Sequence, residues 1–142
     1  MGFFDWLFGY PPQPVATENR CPVPDHTARN FVEAQRIMRG LNPNALCGRE
    51  GGEIVFIEDH TDPDGRLYRL EYRSNPSGSQ VTAWCRYKPW PDKSYSIHQC
   101  HLFGSGQICL GSSPHNLSDA VKRTRYWATA YSYLREHGTW PD

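Results

Sequence analysis

Three features of the 142-residue chain predict an α+β domain. A helical stripe falls between residues 25 and 39, three alternating apolar segments separated by turn signals lie between residues 53 and 87, and a long amphipathic segment runs from about Leu117 to His137. Consecutive strands joined by short turns imply an antiparallel meander, with the N-terminal helix and the long C-terminal helix packed on one sheet. Residues 25–142 make up this domain, and residues 1–24 precede it as an aromatic segment and a proline-rich linker.

The elements follow in chain order. Phe3, Phe4, Trp6, Leu7 and Phe8 leave the first ten residues almost no polar face, so this segment either folds back onto the domain or docks on a partner. Residues 11–24 hold five prolines and are expected to be extended. Asp25 can cap the first helix, Ala28, Phe31, Val32 and Ile37 give its apolar stripe, and Gly40 can stop it near Arg39. Glu53–Glu58 places Ile54 and Phe56 on one strand face. Asp62-Pro63-Asp64-Gly65 is a turn, and in Leu67–Arg73 the residues Tyr68, Leu70 and Tyr72 alternate with Leu67, Arg69 and Glu71. Asn75-Pro76-Ser77-Gly78 is a second turn, leading to a third strand at Val81–Tyr87. Pro89 and Pro91 break the sheet, because proline donates no ladder hydrogen bond. A loop rich in Gly and Ser follows, and then a helix from Leu117 to His137 with Asn116 as cap and Gly138 as stop. Leu117, Val121, Thr124, Ala128, Tyr131 and Leu134 form its buried stripe.

Composition narrows the function classes. Aromatic residues make up 13% of the chain, so large rings must supply much of the buried area. Lys+Arg and Asp+Glu number 15 each, a balance unlike that of nucleic-acid binders or of proteins drawn to anionic membranes. No apolar run reaches the roughly 20 residues of a membrane span. The first residues lack a secretory signal's basic flank and cleavage site, and Trp6 stands where myristoylation requires Ser or Thr. A cytoplasmic protein is expected. The five cysteines, Cys21, Cys47, Cys85, Cys100 and Cys109, are odd in number and irregularly spaced, which suggests a free thiol rather than a disulfide framework. Cys21 and Cys47 are expected in loops or linkers and Cys85 in the core.

The chemistry concentrates in residues 97–111. Cys109 lies between Ile108 and Leu110, whose side chains in an extended stretch anchor in the core and leave the thiol outside. Gly104, Gly106 and Gly111 thin the backbone around it, allowing another chain to approach. Such a cysteine suits a peptide-tail substrate, since thiols are good nucleophiles and thioesters good acyl donors.

In these residues the sequence resembles the ubiquitin-conjugating family, in particular its divergent prokaryotic branch associated with bacterial antiviral conjugation systems. The family pattern places His-Pro-Asn before the catalytic cysteine, with Asn eight residues and Gly three residues upstream. Here Gly106 stands three before Cys109, Ile108-Cys109-Leu110 matches the common Ile-Cys-Leu, and Gln99-Cys100-His101 occupies the His-Pro-Asn place. The break at Pro89 and Pro91 and the ending Gly138-Thr139-Trp140-Pro141 are also similar to the family, over residues 25–142.

The resemblance implies a ubiquitin-conjugating-like fold and a thioester carrier. Cys109 would accept the C-terminal acyl group of a ubiquitin-like protein from an activating enzyme and pass it to an amine on an acceptor protein, in bacterial antiphage defence. The alternative modifier is a nucleotide-second-messenger synthase, a nucleotidyltransferase primed through its own C-terminus. His101, standing where the family has Asn, would donate to the oxyanion, a contact worth about 3–4 kcal/mol, or else brace the loop. Asp119 is near enough in sequence to take a proton from the amine, but an acid in a helix's first turn is ordinarily structural, as is His98. No cofactor or metal is implied, and no Gly-rich phosphate loop occurs.

Three other readings stay open. His98, Cys100, His101, Cys109 and His115 are five potential zinc ligands within 18 residues, although no Cys-x(2–4)-Cys or His-x(3–5)-His pair is present. Cys109 with His98, His101 or His115 would suit a cysteine hydrolase. A non-catalytic interaction module would keep Cys109 buried and inert.

Overall fold

The computed structural model describes residues 26–76, 79–114 and 116–141. The aromatic segment, the proline-rich linker, the Asp25 cap, Cys21 and His115 lie outside them. The order of elements is α1 (His26–Leu41), β1 (Leu46–Glu50), β2 (Glu53–Thr61), β3 (Leu67–Ser74), β4 (Val81–Tyr87), α2 (Ile97–Cys100) and α3 (Leu117–His137). This is an α+β architecture with a four-stranded antiparallel sheet in the order β1-β2-β3-β4, an N-terminal helix and a long C-terminal helix. Among the described residues no helix is long and apolar enough to cross a membrane.

Several expectations need correction. α1 runs through Gly40 to Leu41, and the stop comes at Asn42, which the following proline, Pro43, disfavours for helix. Its buried face is Phe31, Ala34, Gln35 and Met38, whereas Ile37 is 42% exposed. Six residues beyond Phe31, Ile37 points well round the helix from that face. The sheet has a fourth strand, β1, whose Leu46-Cys47-Gly48-Arg49-Glu50 shows little alternation. It pairs with β2 across Gly51 and Gly52, with Gly51 at φ 61°, the backbone that a two-residue hairpin loop requires. Cys47 is therefore a buried strand residue rather than a loop residue. Cys85 is half-buried against the core.

One sheet face carries the core. Phe56 pairs with Tyr72 and Tyr72 with Ala83, while Ile54 pairs with Ser74 and Ser74 with Val81, so these side chains line up across the strands. α3 covers them with the expected stripe, to which Ala120, Trp127 and Ala130 are added. Rings fill the space as composition predicts: Tyr68, Tyr72, Tyr131 and Phe56 are almost wholly buried, and Trp127 meets Tyr68 edge-on at 6.0 Å.

Two buried carboxylates tie the sheet to α3. Glu58 accepts from Arg125 Nη2 at 2.7 Å, from Asn42 Nδ2 at 3.0 Å and from the Tyr72 hydroxyl. Burial pushes its pKa up, but the hydrogen bonds from Arg125, Asn42 and Tyr72 outweigh burial and hold it below the ordinary value. Asp62, in the predicted turn, accepts from Ser132 Oγ at 2.6 Å and from the Arg66 amide at 2.8 Å. Burial again raises its pKa, and bonds from Ser132, Arg66 and Asp64 bring it below the ordinary value. On the opposite sheet face, buried Glu71 bridges Arg73 and Arg86.

The proline break after β4 is pinned to β3 and to α3. Trp90 Nε1 donates to the Tyr68 hydroxyl at 2.9 Å, and Arg135 Nη1 donates to the Pro91 carbonyl at 2.6 Å.

Candidate functional site

α2 is a single helical turn where an irregular loop was expected. Ser96 Oγ accepts from the Gln99 amide at 3.3 Å while Gln99 Oε1 accepts from the Ser96 amide at 2.9 Å, a reciprocal cap at its start. His101 ends the turn at φ 53° and ψ 32°, the one described non-glycine residue with positive φ. Histidine, like asparagine and aspartate, enters this left-handed region more readily than most side chains. The His101 amide donates to the Ile97 carbonyl at 2.8 Å, and its carbonyl accepts from the Cys109 amide at 2.9 Å. The two candidate residues are thus joined through their backbones.

A tight hairpin separates them in sequence. Leu102 and Ile108 form an antiparallel bridge, the Phe103 amide donates to the Gln107 carbonyl at 2.9 Å, and the Gly106 amide donates to the Phe103 carbonyl at 2.9 Å. Gly106 sits at φ +94°, a conformation that favours glycine, and a Cβ there would just touch the Cys85 carbonyl oxygen at 3.4 Å. The hairpin is sewn to β4 by the Ile108 amide on the Ala83 carbonyl and the Cys85 amide on the Gly106 carbonyl, each at 2.8 Å. Ile108 is buried and Leu110 packs on the core, as their apolar character predicts, which leaves Cys109 half-buried between them.

α3 holds both flanks of this segment. Trp127 Nε1 donates to the Cys100 carbonyl at 2.9 Å before the hairpin. After it, Arg123 Nη1 donates to the carbonyls of Leu110 at 3.2 Å and Ser112 at 2.6 Å. Asp119 pairs with Arg123 at 2.9 Å. The Trp140 ring packs on the His101 ring, with centroids 4.6 Å apart.

Between hairpin, helix and chain end lies an open groove of about 440 Å³. Cys109, His101 and Leu110 line one side, and Lys122, Tyr126 and Trp140 face it from α3 and the tail. The structure thus brings the two sequence candidates, Cys109 and His101, to one groove. His98 is exposed on α2 and is not among the groove-lining residues. Sequence reasoning missed Lys122 and Tyr126, although their four-residue spacing already put them on one face of α3.

The cysteines differ sharply in setting. Cys47 and Cys100 are buried, and burial pushes the Cys47 and Cys85 thiols each up to about 11. The Cys109 thiol forms no hydrogen bond with any described residue, an imidazole included. Among the described residues no three His, Cys, Asp or Glu side chains gather as a metal site, and the Cys100 thiol is turned toward the Leu102 carbonyl at 3.6 Å.

No protein-family model, no curated protein and no solved structure matches the chain. The fold and the site define an α+β domain with a half-buried cysteine next to a braced hairpin, lining an open groove.

Proposed function

We propose that this protein is a ubiquitin-conjugating-like carrier, which accepts the C-terminus of a ubiquitin-like protein as a thioester on Cys109 and passes it to an amine. The observation that carries the reading is the setting of Cys109: half-buried, without a hydrogen-bonded partner among the described residues, and lining a groove open to an incoming chain. A nucleophile for a small molecule would sit in an enclosed pocket, whereas an open groove suits a peptide terminus.

The surroundings support the same reading. A helix, an antiparallel meander, a proline-containing break, the cysteine segment and a long helix follow in the order that the resemblance implies. His101 takes a left-handed backbone conformation that Asn also tolerates, which gives a physical reason why His can stand where the family has Asn. In the mechanism, the Cys109 sulfur attacks the acyl carbon of an activating enzyme's thioester and that enzyme's thiol leaves. An acceptor amine then attacks the Cys109 thioester, His101 stabilises the oxyanion, and the thiol is released. Bacterial antiphage defence is the setting, with a dedicated ubiquitin-like protein or the C-terminus of a nucleotidyltransferase as the modifier.

Incubation with an activating enzyme, a candidate modifier and ATP, followed by gels with and without reductant, tests this directly. A reductant-labile adduct is expected, lost in Cys109→Ala and converted to a longer-lived oxyester in Cys109→Ser. Turnover of a modifier conjugate without activating enzyme or ATP would instead mark a cysteine hydrolase.

A further inference from the structure

The groove beside Cys109 is charged in one sense. Among the described residues its lining includes Lys122 and Arg123 and no carboxylate, although the chain as a whole carries equal numbers of acidic and basic residues. The two cations are not equivalent. Arg123 is engaged by Asp119 and by the carbonyls of Leu110 and Ser112, so it serves the loop. Lys122 is exposed at the groove and has no ion-pair or hydrogen-bond partner among the described residues. Beside it stand apolar and aromatic surfaces: Leu110, the Tyr126 ring, 55% exposed, and the Trp140 ring.

We infer that this groove selects acyl donors whose peptide tail carries an acidic side chain a few residues before the reacting carbon, with Lys122 as the specificity-determining residue. The inference rests on the carrier reading and deepens it by naming the substrate class. The acidic side chain pairs with the Lys122 ammonium while the tail's backbone lies against Leu110, Tyr126 and Trp140. A basic residue at the same place meets an unpaired like charge and is rejected. Charge at an exposed lysine is screened, so the preference is a modest factor that fades as salt rises.

Synthetic peptide thioesters test this without any partner protein. The Cys109 sulfur attacks the acyl carbon, the bond to the donor thiol breaks, and the donor leaves as free thiol with the Cys109 proton. The peptides end in glycine thioester and differ only in carrying Asp, Asn or Lys at the second, third or fourth residue from the acyl carbon. Loading is followed by intact mass, with Cys109→Ala as the background. At low salt one Asp peptide should load about three- to tenfold faster than its Lys counterpart, the gap closing at high salt. Lys122→Gln should erase the difference and Lys122→Glu should reverse it. Equal loading of Asp and Lys peptides at every position overturns the inference while leaving the carrier reading intact. No Cys109-dependent loading of any peptide overturns both.

Discussion

The indole of Trp140 lies over the imidazole of His101, with ring centroids 4.6 Å apart and planes inclined at 52°. The contact joins the end of the chain to the left-handed residue whose carbonyl receives the Cys109 amide. The backbone fixes where His101 stands, and Trp140 limits where its ring can point.

Trp140→Ala should therefore slow amine discharge of the Cys109 thioester by about tenfold, the scale of a lost ring contact, while loading persists. Trp140→Phe should restore most of the rate. His101→Ala should cost about several hundredfold in discharge with loading spared. Single-turnover discharge to a small amine measures all three, and unchanged discharge in His101→Ala removes that residue from the mechanism.

Native-state alkylation followed by peptide mapping ranks the cysteines by reach. Cys109 should react well ahead of Cys47, Cys85 and Cys100, because burial raises two of these thiols to about 11 and Cys100 is buried. A Cys109 that labels only on denaturation would contradict the carrier mechanism.

Gly106→Ala forces a side chain into a positive-φ position beside the Cys85 carbonyl and should cost about 1–2 kcal/mol in urea unfolding. Gly104→Ala, where no atom lies within 4 Å of the added methyl, is the matched control and should be close to neutral. If the two variants unfold alike, the left-handed backbone assigned to Gly106 is wrong.

Acid should destabilise the fold through Glu58 and Asp62. Their ordinary values are 4.5 and 3.8, and both lie lower in the folded protein. Below about pH 4.5 the unfolded chain takes up protons that the folded chain binds less readily. The stabilisation is thus complete above that range and is lost as pH falls through the folded values. Urea midpoints from neutral pH to about pH 3 should show this decline. Arg125→Met, which leaves the Glu58 carboxylate buried without its cation, should cost about 3 kcal/mol at neutral pH and flatten part of the acid slope.

Much of the architecture was legible because its signals are local. The bounds of α3 follow from Asn116, whose Oδ1 accepts from the Asp119 amide at 2.9 Å, and from Gly138 at φ 81°, both within a turn of the helix they terminate. The alternation of Tyr68, Leu70 and Tyr72 depends only on the two-residue period of a strand. β1 escaped because its composition is poor in strand formers and its stability comes from pairing with β2, although Gly51-Gly52 was a usable hairpin signal.

The sequence by itself determined the two long helices and three of the four strands, and singled out Cys109 as the candidate nucleophile, since capping, periodicity and flanking residues act over a few positions. Only the tertiary structure decided that Trp140 covers His101, that Lys122 and Tyr126 face Cys109, and that Glu58 meets Arg125. Those contacts join residues more than ten positions apart, and their partners are chosen by how the helix, the sheet and the tail pack, which no local pattern encodes.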